Sequence, residues 1–227
     1  MTPIYLVDDN RGSLQVELRT MDRIRERLAE LHPYTRELMR PTLFARVAEL
    51  QPDAAIDQAF NRLAAKFPIG SQYNWLARFC RQRDLKDVEI GFERERYGAG
   101  ALLLDLVEQG RSPAGYPAYR IPAAEQHTDV GTIFGSYVFP LFDITKQDMA
   151  REVDARGWRP IMLDTWFCHR PVGTEPCGRC HPCLNVIKAG LGWRIPPRRR
   201  ALGALHRATI GFAKSTAKRL VQGATAS

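Results

Sequence analysis

Apolar positions in the first part of the chain predict a strand followed by helices. The apolar run at 3–7 ends at Asp8 and Asp9, which is typical of a buried strand leading into a turn. Apolar residues then recur three or four positions apart, which predicts a helix that ends at His32-Pro33. Its apolar positions are Met21, Ile24, Leu28 and Leu31. A second helix, interrupted or started at Pro41, is predicted from Leu38, Met39, Leu43, Phe44, Val47 and Leu50.

The middle of the chain alternates helical and strand patterns. A helix that starts near Asp53 is predicted from Ile56, Phe60, Leu63, Ala64 and Phe67. Another helix is predicted to open near Ser71. Strict alternation then predicts a strand through Val88, Ile90 and Phe92. The apolar run between Gly100 and Gly110 predicts a further helix, and the proline- and glycine-containing stretch 111–130 predicts a loop.

The last third adds two helices and one strand to the prediction. Thr145 can cap a helix whose inner face holds Met149 and Val153. The apolar stretch 160–167 predicts a strand that runs into Cys168, and 201–222 predicts a basic amphipathic helix. Because strands and helices alternate along the chain, the pattern predicts the α/β class with a parallel sheet.

Composition narrows the class of protein but not its function. The 227 residues carry a net charge of +8, with 44% hydrophobic and 26% charged residues, which is ordinary for a soluble globular protein. The sequence contains no run of eighteen apolar residues, so no membrane span is predicted. The N-terminus also lacks the pattern of a secretory signal. The basic excess fits either an arginine-rich protein or one with a polyanionic partner.

Four of the five cysteines are clustered and form the strongest chemical signal. Cys168, Cys177, Cys180 and Cys183 are separated by eight, two and two residues. Each Cys-x-x-Cys step brings two thiols to one tight turn, and four thiolates suit tetrahedral zinc. With four protein ligands no coordination position remains for water, so the ion is expected to be structural. Cys80 lies on an apolar stripe and is predicted to be a core thiol.

Alternatives to a four-cysteine zinc site stay open at this point. Iron–sulfur sites also use four cysteines, and four free thiols would need no metal. His169 and His181 lie beside the cysteines and could replace one of them as a ligand.

The cysteine spacing resembles that of a known family. Cys-x8-Cys-x2-Cys-x2-Cys, with Gly178 after the second cysteine, resembles the zinc loop of the 7-cyano-7-deazaguanine synthases, which are PP-loop ATP pyrophosphatases. Upstream, the segments 140–150 and 160–171 resemble the family's threonine–lysine helix start and the strand entering the first zinc cysteine. The resemblance is specific over about 138–190, and fainter likenesses precede it.

The resemblance implies a fold and an activity. The implied fold is a Rossmann-like parallel sheet of the adenine nucleotide alpha hydrolase type with a C-terminal zinc-bound loop. It divides the chain into an α/β domain at 1–165, a zinc loop at 166–195 and a basic tail at 196–227. The implied reaction uses ATP to convert the carboxylate of 7-carboxy-7-deazaguanine to a nitrile, for modification of tRNA or DNA; relatives in phage defence need not share that role.

One hallmark of the family is missing from these residues. The phosphate-binding motif Ser-Gly-Gly-x-Asp-Ser does not occur, and the sequence resembles the family only from its second strand onward. Three interpretations stay open: a truncated or mis-started chain, a diverged partner protein, or a zinc-stapled protein that binds a nucleotide or nucleic acid without catalysis. As numbered, the chain is expected to be inactive in the ATP step.

Two further residues are candidates for nucleotide binding, while the catalytic residues remain unknown. Asp8 ends the first strand, where open α/β sheets place ligand groups, although a solvated turn is the simpler explanation. Lys146 matches the family's lysine before a helix, although it could equally be a surface lysine. The resemblance implies Zn²⁺ and ATP as cofactors, a deazapurine substrate and a cytoplasmic location. A homo-oligomer, an operon partner or nucleic acid bound through the basic tail remain alternatives.

Overall fold

The chain forms two compact units, and a computed structural model describes residues 1–93 and 98–209. The sheet unit comprises residues 3–8 and 42–152. The cysteine unit comprises residues 1–2, 9–41 and the described residues from 153 onward. The long helix near the N-terminus therefore belongs to the same unit as the four cysteines.

The strands all lie in the sheet unit. They are β1 (Ile4–Val7), β2 (Leu43–Arg46), β3 (Val88–Glu89), β4 (Glu108–Arg111), β5 (Pro117–Arg120) and β6 (Tyr137–Phe139). β1 and β2 form a parallel pair. The other four form a sheet in the order β3-β6-β5-β4, in which β3 and β6 are parallel and the other two pairs are antiparallel. The α/β class with parallel strands is confirmed, and the second sheet is mixed.

The described residues contain nine α-helices and three 3₁₀ turns whose bounds are given below, in addition to the helical residues 197–209. The helices are α1 (Leu14–Leu31), α2 (Thr35–Leu38), α3 (Ala54–Ala64), α4 (Gln72–Gln82), α5 (Gly98–Leu103), α6 (Asp129–Phe134), α7 (Lys146–Ala155), α8 (Arg159–Asp164) and α9 (His181–Lys188). The 3₁₀ turns are Val47–Glu49, Ala123–Glu125 and Gly192–Arg194. Residues 197–209 are also helical.

Aromatic and aliphatic side chains fill the core of the sheet unit. α3, α4 and α6 pack against one another. The largest buried side chains there are Tyr137, Phe79, Phe134, Phe139, Ile56 and Leu103. Cys80 is 1% exposed, and its thiol donates to the Tyr137 hydroxyl at 3.8 Å. The prediction that Cys80 is a core thiol is confirmed, and burial raises its pKa.

Most helix predictions in the first half are confirmed. α1 ends where His32 and Pro33 predicted, and α4 starts after Ser71. Asp53 caps α3, because its carboxylate accepts the backbone N–H of Ile56 at 3.1 Å. Thr145 and Asp148 form a reciprocal cap at the start of α7, as the Thr145 prediction required.

Two helix predictions and one loop prediction were wrong. The segment after Pro41 is β2 followed by a 3₁₀ turn, because alternate residues of β2 are half-buried while the strand pairs with β1. The helix predicted up to Gly110 stops at Leu103, and the chain then forms β4. β4 pairs with β5, which lies inside the stretch predicted to be a loop. Cross-strand pairing outweighs local pattern at these positions.

The strand predicted at 160–167 is mostly a helix. α8 covers Arg159–Asp164, with Pro160 in the first turn, where its missing N–H costs no hydrogen bond. The strand predicted through Phe92 is also shorter, since β3 covers only Val88–Glu89. The basic helix predicted at 201–222 is helical through 209, and its remainder lies outside the described residues.

Candidate metal centre

The four clustered cysteines lie together in the cysteine unit. Their Sγ atoms all lie within 4.8 Å of one another. Cys168, Cys177 and Cys183 are buried, while Cys180 is partly exposed. Three of the sulfur pairs are Cys180–Cys183 at 3.4 Å, Cys180–Cys168 at 3.8 Å and Cys177–Cys183 at 3.9 Å. No disulfide links them, because all are free thiols.

These separations fit one tetrahedral ion. Four thiolates at about 2.3 Å from a central zinc form a tetrahedron whose edges are about 3.8 Å long. These three sulfur pairs measure 3.4, 3.8 and 3.9 Å and so bracket that edge. Ligands of a cluster with several irons bind different metal atoms and lie farther apart. The donor set therefore suits a single zinc-like ion better than a multi-iron cluster.

Local backbone geometry brings together the thiols of Cys177 and Cys180, which form the first Cys-x-x-Cys step. Gly178 has φ +74°, a left-handed conformation that turns the chain between Cys177 and Cys180. The backbone N–H of Cys180 then donates to the Cys177 sulfur at 3.4 Å. The N–H of Cys177 donates to the Cys168 sulfur at 3.2 Å. Such bonds favour the thiolate form that a metal requires.

The pKa values of the clustered thiols are shifted in different directions by hydrogen bonding and burial. The Cys183 thiol lowers the pKa of Cys168 to about 5 by hydrogen bonding to its thiolate, and the N–H of Cys177 adds to the effect. The same bond raises the pKa of Cys183, and burial raises that of Cys180. A cation must therefore displace protons from at least these two thiols, so metal binding is expected to weaken as the pH falls.

Flanking side chains fix the segment that enters the cluster. The Trp166 indole N–H donates to the carbonyl of Cys168 at 2.6 Å. Val186 and Ile195 are buried against the cysteines and complete a small apolar cluster. An apolar cluster of this size buries little surface, so a bound metal ion would contribute a large part of the stability of this region.

The helix at 197–209 packs against the Cys-x-x-Cys turn through two glycines. A Cβ on Gly203 would lie 2.2 Å from the carbonyl oxygen of Gly178, and a Cβ on Gly178 would lie 2.3 Å from that of Arg199. Glu175 accepts from Arg198 at 2.6 Å and from Arg199 at 2.9 Å. Gly203 was not predicted from the sequence, because its one local signal is a glycine inside a helical pattern.

The histidines beside the cluster do not belong to the group. Among the described residues, the ligand atoms that lie together come from the four cysteines, and neither His169 nor His181 joins them. His181 is instead the first residue of α9, whose first turn also carries Cys183.

The two other candidate residues lie in the sheet unit. Asp8 is half-buried and directly follows β1, as predicted. Lys146 begins α7 and forms an ion pair with Glu93, and burial lowers its pKa. Nucleotide binding by either residue stays a prediction.

The described part of the basic tail is partly neutralised. Arg198 and Arg199 pair with Glu175, and Arg207 donates to the carbonyl of Gly178 at 3.2 Å. These contacts tie the helix to the cysteine loop. Residues 210–227 lie outside the described residues. Nucleic-acid binding through this tail stays a prediction.

No helix in the described part of the chain is both long and apolar enough to span a bilayer. Comparison with known proteins gives no relative: no family model, no curated protein and no solved structure matches the chain.

Proposed function

We propose that Cys168, Cys177, Cys180 and Cys183 hold one structural zinc ion in a 7-cyano-7-deazaguanine synthase-like protein. The observation that supports the metal assignment is the set of four sulfurs within 4.8 Å of one another, with separations of 3.4 and 3.8 Å near a tetrahedral edge. The family assignment is supported by the cysteine spacing and by the Thr145–Lys146 helix start. We extend the proposal to a Rossmann-like arrangement of the sheet unit.

A four-thiolate site leaves no coordination position for a substrate or water. Its contribution is to crosslink the loop after Cys168 with the first turn of α9. Free thiols and zinc–thiolate sites persist in reducing compartments, so the proposal places the protein in the cytoplasm.

The residues described do not fit an ATP phosphate site of the family type. The turn after β1 carries Asp8 and Asp9, which repel phosphates, and Lys146 is already paired with Glu93. Residues 1–227 also contain no Ser-Gly-Gly-x-Asp-Ser. The nitrile-forming step, if this protein takes part in it, therefore needs a phosphate loop that these residues do not carry.

Pyrophosphate release tests the functional proposal. Zinc-loaded residues 1–227 are incubated with ATP, ammonia and 7-carboxy-7-deazaguanine, alone and fused behind a strand and helix that carry Ser-Gly-Gly-x-Asp-Ser. We expect no pyrophosphate from the first version, and both pyrophosphate and nitrile from the second. A fusion in which the motif's acid is replaced by alanine is the matched control and should be inactive.

Two outcomes would contradict the proposal. Pyrophosphate release by residues 1–227 alone would mean that this chain carries its own site for the ATP step. Inactivity of a zinc-loaded, folded fusion would instead favour a zinc-stapled binding protein without catalysis.

A further inference from the structure

A cavity of about 420 Å³ lies within the cysteine unit. Its walls come from α1, the end of α8, the chain on both sides of Cys168 and the 3₁₀ turn at Gly192–Arg194. Its lining includes Arg19, Thr20, Arg23, Trp166, Phe167 and Arg194. This volume falls in the range of small-ligand pockets, which is roughly 300–1,000 Å³. The zinc assignment accounts for none of the three arginines.

Arg194 is a largely enclosed cation without an acidic partner among the described residues. Its Nη2 donates to the carbonyl of Thr165 at 2.6 Å, the hydroxyl of Thr165 at 2.8 Å and the carbonyl of Met162 at 3.1 Å. Its guanidinium lies 5.0 Å from the centre of the Phe167 ring. All these hydrogen bonds pass through Nη2, so Nε and Nη1 remain for a ligand. Burial lowers the pKa of Arg194.

The remaining charges in the cavity also leave a positive excess. Arg23 pairs with Asp164 at 3.1 Å, but the same carboxylate is shared with Arg27. Arg19 is exposed and has no ion-pair partner in the described part of the chain. Three guanidinium groups therefore line the cavity together with one carboxylate. Three positive charges against one negative charge leave an excess of two, which matches a ligand with two negative charges.

We propose that this cavity binds a small phosphate monoester, with the phosphate between Arg19, Arg23 and Arg194 and its organic group against Trp166. A phosphate monoester carries about −1.5 to −2 charges at pH 7, which offsets the excess. Guanidinium groups bind phosphate oxygens in bidentate fashion, and the Trp166 ring offers a flat apolar wall. The proposal concerns binding alone and does not depend on the nitrile-forming reaction.

Calorimetric titration of the zinc-loaded full chain with phenyl phosphate tests the proposal. We expect saturable binding of phenyl phosphate, weaker binding of inorganic phosphate and no binding of phenol. Arg19→Gln should raise the Kd for phenyl phosphate about tenfold, since it removes one charge-assisted contact. Arg36→Gln, an exposed arginine of the same unit outside the cavity, is the matched control and should leave the Kd unchanged.

A second readout locates the ligand without relying on Arg194, whose replacement could unfold the segment. The indole N–H resonance of Trp166, assigned with Trp166→Phe, should shift on addition of phenyl phosphate, while those of the other tryptophans stay in place. The proposal is overturned if phenyl phosphate fails to bind at millimolar concentration, if Arg36→Gln weakens binding as much as Arg19→Gln, or if the Trp166 resonance does not move.

Discussion

Replacing Cys180 by serine is expected to abolish stoichiometric zinc binding and to unfold the cysteine loop. The Cys180 sulfur contacts those of Cys168 and Cys183, and its backbone N–H donates to the sulfur of Cys177. Both short cysteine steps pass through this residue. Structural zinc supplies apparent binding free energies of about 10 kcal/mol in small zinc peptides. Losing one of four thiolates should therefore cost several kcal/mol of stability, seen as a large fall in Tm.

The matched control removes a cysteine outside the cluster. Cys80 is buried in the sheet unit, and Cys80→Ala should retain one zinc per chain while losing about 1 kcal/mol through a small cavity. Metal content and Tm are measured for both variants with and without a chelator. If Cys180→Ser melts like the parent protein, or keeps its zinc, a zinc ion bound by the four cysteines does not stabilise the cysteine loop.

Replacing Gly178 by alanine is expected to be the most damaging change outside the metal ligands. Gly178 has φ +74°, which costs a non-glycine residue about 1 kcal/mol. An alanine Cβ would also lie 2.3 Å from the carbonyl oxygen of Arg199, which is backbone and cannot rotate away. The helix at 197–209 would have to shift, so we expect a loss of about 3 kcal/mol or more. Chemical denaturation of the zinc-loaded protein measures this loss.

Substitution of Gly173 distinguishes the cost of the left-handed backbone conformation from the cost of the close contact. It has φ +62°, yet nothing lies within 4 Å of a Cβ placed on it. Gly173→Ala should therefore cost only the conformational term of about 1 kcal/mol. Gly203→Ala tests the opposite side of the contact, because its Cβ would meet the carbonyl of Gly178. Equal losses for Gly173→Ala and Gly178→Ala would contradict the close packing of helix and turn.

Helices were predictable from sequence where one face and both ends carried signals. α3 and α4 combine an apolar stripe with start residues at Asp53 and Ser71, and both formed where predicted. β2 was missed because a short apolar segment fits a helix or a strand equally well. β4 was missed because its four residues are polar or glycine and carry no strand pattern. β2 is stabilised by β1, which lies far away in sequence, whereas β4 pairs with β5 across a short hairpin. The pairing of β1 with β2 cannot be seen in a local pattern.

The candidate site was predictable only in part. Cysteine spacing encodes the approach of Cys177 to Cys180 and of Cys180 to Cys183, because each pair shares one turn. The position of Cys168 depends on how the eight-residue loop folds back. Arg194 carries no sequence signal, since an arginine without an acidic neighbour is ordinary on a surface. Its enclosure follows from contacts with Thr165 and Phe167, almost thirty residues earlier.

X-ray absorption at the zinc K-edge, with elemental analysis of the purified protein, tests whether the four cysteines bind one zinc ion. We expect one zinc per chain with four sulfur neighbours at about 2.3 Å. Cys80→Ala should give the same spectrum. Iron with sulfide, a nitrogen or oxygen atom in the first coordination shell, or no metal in protein purified without chelator would contradict the four-cysteine zinc site.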